Sequence, residues 1–255
     1  MAALTRDDAR AQQKKARERF HTAEKLEKEY ARSLRYLTRQ IDHIVKGMAS
    51  KDLKKVNELE EVLKRYAETI KPWARSVAEK MLLRIARKDE ASWLQLGKSI
   101  GKVLREELND APTGDLLRKF LDEQVHLITS LPLEAAQRVH KLAIEGMIQG
   151  GRRHDEIARD ILQTGKVTES RARLIARTEI ARVASGLTIV RAQHVGATHY
   201  IWRTSKDPDV RESHKKMEGV VVPFATMPIL SDGTQCHAGG IYNCRCWPQP
   251  ILMKD

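Results

Sequence analysis

Aromatic residues are scarce in this 255-residue chain: four Trp, five Tyr and three Phe, 5% of the total. A core must therefore rest mainly on Leu, Ile, Val and Ala, as helical proteins can arrange. Long apolar runs are missing as well, and no window approaches the roughly 20 apolar residues of a membrane helix. The opening stretch, Met1 to Phe20, is charged throughout and lacks the apolar centre of a signal peptide. The expectation is a soluble chain with no membrane partner, made in a reducing cytoplasm. Cysteine is limited to three residues, none in a Cys-x2-Cys knuckle. Apolar residues make up 41% and charged residues 31%, a balance that excludes compositional disorder. The length allows one large domain or two ordinary ones.

Charge is plentiful and one-sided, with 46 Lys+Arg against 34 Asp+Glu and a net charge of +12. An excess of that size favours an anionic partner. Over the first hundred residues, however, basic and acidic side chains alternate, as at Glu24-Lys25, Glu27-Lys28 and Glu60-Glu61-Lys64-Arg65. That spacing is what i,i+3 and i,i+4 pairs on a solvated helix face require. Denser basic character appears at Arg152-Arg153 and at Arg171, Arg173, Arg177 and Arg182. Of these, Arg171, Arg173 and Arg182 are the candidate DNA contacts. No aromatic residues interleave with them, so a base-stacking groove is not encoded.

The first half reads as helix, from Leu26, Tyr30, Leu34, Leu37, Ile41, Ile44 and Val45 at three- and four-residue steps. A break over Gly47 to Asp52 precedes a second helical pattern through Leu63, and Pro72 suits the first turn of a third. Residues 109–114, Asn-Asp-Ala-Pro-Thr-Gly, are the clearest linker. Beyond it, Leu116–Leu131 and Leu133–Ile148 read as two helices separated by Pro132, the second ended by Gly150-Gly151. His154–Leu162 reads as a short helix and Gly165 as a turn, with Thr168 capping a longer helix to about Val195. That pair of helices has the outline of a helix-turn-helix, an arrangement equally common as plain packing. From Gly196 the character becomes β: Thr198–Thr204 alternates, with Tyr200 and Trp202 on one face, and two shorter strands follow near Gly219–Phe224 and Ile241–Trp247. The predicted class is α+β, mostly α. A long helical N-terminal half leads to a helical segment and a small β-containing, Cys/His-rich C-terminal subdomain.

Cys236, Cys244 and Cys246 lie within eleven residues, with His237 among them and His214 upstream. Three thiols and an imidazole can supply a tetrahedral zinc site, and His214, Cys236, Cys244 and Cys246 form the candidate set. In an extended segment Cys244 and Cys246 share a face and Arg245 takes the other. A Cys236–Cys244 disulfide, or three thiols simply buried, are the other two readings. Asp207, Arg211, His214 and Asn243 invite a catalytic reading, but no paired carboxylates accompany them. Structural use is the preferred expectation, with Asp207 and Arg211 as a local pair one helical turn apart. The alternatives are a metal-dependent enzyme acting on DNA or phosphate esters through His214, and a non-specific DNA-binding module.

Taken together, these motifs have a recognisable order. Arg177-Thr178-Glu179 after Ile175-Ala176, then Trp202, Asp207, Arg211, His214, Gly219, Phe224, Gly233 and finally Asn243-Cys244-Arg245-Cys246 resemble the Mu F-like minor head proteins of tailed bacteriophages. These are also called phage head morphogenesis proteins. The resemblance covers roughly residues 120–250 and implies a virion component of the head interior, associated with the portal. It implies help in head assembly, with the portal protein, scaffold or major capsid protein and packaged DNA as partners. It implies roles in DNA packaging and ejection, passage through the host cytoplasm during assembly, and no established catalytic reaction. The division it suggests is 1–112 as a helical, portal- or scaffold-facing region and 113–255 as the head morphogenesis domain.

Overall fold

The computed structural model describes residues 6–48, 55–100, 112–148 and 154–252. Among the described residues six helices come first: α1 (Arg6–Met48), α2 (Lys55–Thr69), α3 (Lys71–Ile100), α4 (Thr113–Ile148), the short α5 (His154–Leu162) and α6 (Thr164–His194). Strand β1 (His199–Thr204), the single-turn α7 (Glu212–Lys215), β2 (Val221–Pro223) and β3 (Cys246–Pro250) complete the chain. The fold is therefore mostly helical with a small antiparallel sheet near the C-terminus, the class read from the sequence.

The helical stripe read on α1 is the buried one, with Leu34, Leu37, Ile41 and Val45 each at most 1% exposed. Pro72 occupies the first turn of α3, where its missing N–H costs nothing. Three local expectations are corrected. Gly47 continues α1 to Met48 rather than breaking it; residues 49–54, with the rest of that expected break, lie outside the described residues. Pro132 separates no helices but sits inside the continuous α4. A mid-helix proline costs about 3 kcal/mol through its lost donor and its clash with the preceding turn. Here the hydroxyls of Thr129 and Ser130 donate to the carbonyls of Val125, His126 and Leu127 in that turn. Ile128, Leu131, Ala135, Ala136 and Val139 are buried on both sides of the proline, so packing outweighs the local penalty.

Gly165, expected as a turn, lies in the first turn of α6, and only Gln163 separates α5 from α6. Thr168 is consequently no cap; its hydroxyl donates to the Thr164 carbonyl inside the helix at 2.8 Å. The glycine is required for another reason, since a Cβ there would collide with the side chain of Asp42. A one-residue joint is also shorter than the turn of a helix-turn-helix. Of the expected linker, residues 109–111 lie outside the described residues, as do Gly150 to Arg153, while Thr113 begins α4.

The chain packs as two compact units, each discontinuous in sequence. One contains Lys28–Glu79 and Leu121–Ala176. Its core includes Tyr30, whose hydroxyl donates to Gln124 Oε1 at 2.9 Å. The other unit contains Met1–Glu27, Lys80–Phe120 and Arg177–Asp255, and holds the whole sheet. In that sheet β1 is central, antiparallel to β2 (Tyr200 opposite Val222) and to β3 (Trp202 opposite Pro248, Thr204 opposite Cys246). The inward face of β1 presents Tyr200 and Trp202, both fully buried, to a core with Trp93, Val222, Phe224, Cys236, Cys244 and Cys246.

Candidate metal centre

His214 is delivered by α7, whose preceding residue Arg211 has extended backbone (φ −59°, ψ 145°) and accepts the first turn's N–H groups from His214 and Lys215 at 2.9 Å each. That geometry explains why Asp207 and Arg211 are not the local pair expected from helical spacing: residues 207–211 form a turn, not a helix. Asp207 instead receives the Ser205 hydroxyl (2.7 Å), the Asp209 N–H (3.1 Å) and the guanidinium of Arg245 (2.6 Å). Burial pushes against ionisation of Asp207, but the bonds from Ser205 and Arg245 prevail and hold its carboxyl below the usual range. Arg211 turns elsewhere, donating to the Tyr242 carbonyl at 3.2 Å with its guanidinium 4.9 Å from the Tyr242 ring centre. Of Asp207, Arg211 and His214, only His214 is buried, at 1% exposure.

The two cysteines that flank Arg245 converge on that histidine. Nδ1 of His214 lies 3.3 Å from Cys246 Sγ and 3.5 Å from Cys244 Sγ, while Arg245 points the other way to Asp207 and Asp209. The Trp202 ring meets the imidazole edge-on, 5.5 Å between centres and 83° between planes. The three ligand atoms lie within 4.8 Å of one another, a buried group able to hold a metal ion. Cys236, the fourth candidate, is buried in the same core but falls outside that group. All three cysteines are free thiols, so the Cys236–Cys244 disulfide is not formed.

The electrostatics of the trio are uneven. A hydrogen bond from Cys246, and then His214, lowers the Cys244 thiol well below its ordinary value. Cys246 is driven upward by that same bond and by burial. Burial, with the charge of Cys244, pushes the Cys236 thiol up to about 11. Tyr200 closes the site on one side, its hydroxyl 3.1 Å from His237 Nδ1 and accepting the Ala238 N–H at 3.3 Å.

The earlier motif on α6 is tied directly to this centre. Asn243 has a left-handed backbone (φ +53°), which turns the chain into the Cys-Arg-Cys run. Its N–H donates to Thr178 Oγ1 at 2.9 Å, and its Oδ1 accepts from Arg177 at 3.2 Å. Arg177 also reaches Glu27 at 3.4 Å. Glu179, buried, pairs with Arg182 at 3.0 Å. Gly219 (φ +83°) makes the turn into β2, its N–H donating to the Trp202 carbonyl, and Phe224 packs on Tyr200 with ring centres 5.1 Å apart. Gly233 (φ +80°) makes the tight turn between Leu230 and Thr234.

The three arginines expected to face DNA each meet a carboxylate. Arg171 lies 3.2 Å from Glu134, Arg173 2.7 Å from Glu169 and Arg182 3.0 Å from Glu179. Sequence reading overlooked two supports. Glu218 accepts both the N–H and the hydroxyl of Thr204, and Ser213 donates to Asp232 at 2.7 Å, fastening α7 to the following loop. No spacing rule links Ser213 to Asp232; a buried serine beside the histidine was the only available cue.

Comparison with known proteins agrees with this geometry. Residues 137–248 match the family described as Phage Mu protein F like protein. That segment is a Mu F-like domain. The match takes in Thr178 and Asn243, the histidine and all three cysteines, and it relates the chain to phage head proteins. An uncharacterized protein of Haemophilus influenzae is 34% identical over 131 residues, covering 51% of this chain and 28% of the relative. An uncharacterized protein of Methanocaldococcus jannaschii is 29% identical over 143 residues, covering 56% of this chain and 21% of the relative. The chain thus spans between a fifth and a third of the length of these two relatives. No solved structure matches. Among the described residues, no helix is long and apolar enough to cross a membrane.

Proposed function

We propose that this chain is a minor structural component of a tailed-phage head, acting in head assembly at the portal and remaining in the virion. The observation that carries the reading is the Mu F-like match over a segment whose motif residues hold one another: Thr178 and Arg177 bind Asn243, which in turn sets the Cys-Arg-Cys run. In this reading the buried trio of His214, Cys244 and Cys246 holds a structural zinc ion rather than a reactive one. At 1% exposure His214 has no route to bulk water, whereas catalytic zinc keeps an open position for water or substrate. The portal protein is the assigned partner, with scaffold or major capsid protein and packaged DNA as secondary contacts. The net charge of +12 suits the last of these.

Deleting the gene in the phage that encodes it provides the test. Purified wild-type particles should contain the protein in far fewer copies than the major capsid protein, by quantitative mass spectrometry. Particles made without it should show defective or unfilled heads by electron microscopy. Absence of the protein from wild-type particles, together with normal heads and titre in the deletion, would overturn the reading.

A further inference from the structure

We infer that Cys236 is the fourth ligand of a closed, tetrahedral zinc site formed with His214, Cys244 and Cys246. This rests on the reading of the buried trio as a metal centre and goes further by fixing the coordination number and the segment that completes it.

The trio already has the dimensions of a coordination polyhedron. With zinc–sulfur bonds of about 2.3 Å and zinc–nitrogen bonds of about 2.0–2.1 Å, a tetrahedral N···S edge is about 3.6 Å. The observed Nδ1···Sγ separations are 3.3 and 3.5 Å. The imidazole is otherwise unprovided for: Nε2 of His214 is buried without a partner. A borderline-soft cation takes both sulfurs as thiolates and releases their protons to solvent.

Three ligands leave one tetrahedral vertex, and the surroundings narrow the choice. His237 is engaged through Nδ1 by the Tyr200 hydroxyl, and Asp207 by Ser205 and Arg245. Cys236 is 4% exposed and lies in the same core cluster as Cys244 and Cys246, outside the trio itself, so its segment must close on the ion. Gly233 and Gly239 flank Cys236, both at φ +80°, and the Cys236 N–H makes only a long 3.4 Å bond to the Pro228 carbonyl.

The full chain, purified without chelator, should contain one zinc per molecule by elemental analysis. Replacing the zinc with cobalt(II) should give strong tetrahedral d–d bands and a thiolate charge-transfer intensity corresponding to three sulfurs. In Cys236→Ser that intensity should fall by about a third and zinc should bind at least about tenfold more weakly against a chromophoric chelator. A wild-type chain that takes up neither metal would overturn the metal centre and this inference with it. One metal bound, with Cys236→Ser unchanged in affinity and cobalt spectrum, would overturn the fourth ligand alone. Should Cys236→Ser fail to fold, a wild-type cobalt spectrum of only two-thiolate intensity would overturn it equally. None of these outcomes bears on the presence of the protein in phage heads, which the gene deletion decides.

Discussion

The hydroxyl of Thr178 on α6 accepts the backbone N–H of Asn243 at 2.9 Å, across 65 residues of chain. Thr178 is 8% exposed, so this bond is made away from water. It is the point at which two separated sequence motifs become one structure.

Thr178→Val keeps the shape of the side chain and removes the acceptor. The Asn243 N–H would then be left without its partner, a loss of about 1–3 kcal/mol. Thr178→Ser should retain most of the stability. Urea unfolding of the three proteins checks the order, and equal midpoints for wild type and Thr178→Val would show that the bond carries no weight.

Asp207 makes stability depend on pH in a definite direction. Its carboxyl is depressed in the folded protein, so it contributes stability above the unfolded carboxylate value of about 3.9. That contribution is lost as pH falls through the lower folded value. Asp207→Asn should therefore be less stable than wild type at pH 7, and the gap should close below about pH 4. Chemical unfolding at pH 7, 5 and 3 measures it; a gap independent of pH would place the effect of Asn elsewhere.

Asp89 and Arg191 are 6% and 7% exposed and meet at 2.9 Å, with Arg19 also acting on the same carboxylate. Breaking such a pair from one side costs about 3–5 kcal/mol, because a buried charge is left behind. Asp89→Asn should be destabilised by that order. Replacing both partners, as Asp89→Leu with Arg191→Met, should recover part of the loss, the remainder being the Arg19 charge left without this carboxylate. Thermal melting of the single and double variants decides it, and additive losses would contradict the account.

If the chain meets packaged DNA, Arg171, Arg173 and Arg182 are poorly placed to carry the contact, since each is already held by a carboxylate. Each phosphate contact removed lowers the slope of log affinity against log salt by about one. Arg173→Gln should leave that slope unchanged in filter binding with duplex DNA. A fall of one would put Arg173 on a phosphate.

Much of this architecture was legible beforehand, and the failures have common causes. The helical face of α1 and the inward pair Tyr200 and Trp202 follow from periodicity, because burial of one face imposes it. The convergence of Cys244 and Cys246 follows from two-residue spacing. Pro132 and Gly165 misled because each was weighed by local preference, while the deciding partners are distant in sequence: the buried residues around α4, and Asp42 beside Gly165. The Asp207–Arg211 pairing failed because four-residue spacing makes neighbours only within a helix. The bond from Ser213 to Asp232 joins a one-turn helix to a loop, where no period exists to read.

The unit that holds the sheet combines three stretches far apart in sequence, Met1–Glu27, Lys80–Phe120 and Arg177–Asp255. Gln12 donates to the Leu252 carbonyl at 3.1 Å, and the Phe20 ring stacks on Trp247 at 4.2 Å. The Gln12–Leu252 contact spans 240 residues, so it forms only once both segments have been made. A fragment trimmed to the matched segment 137–248 would lose Glu27 from Arg177 and Phe20 from Trp247. The stretch that similarity singles out is therefore completed, at Arg177 and at Trp247, by side chains of α1.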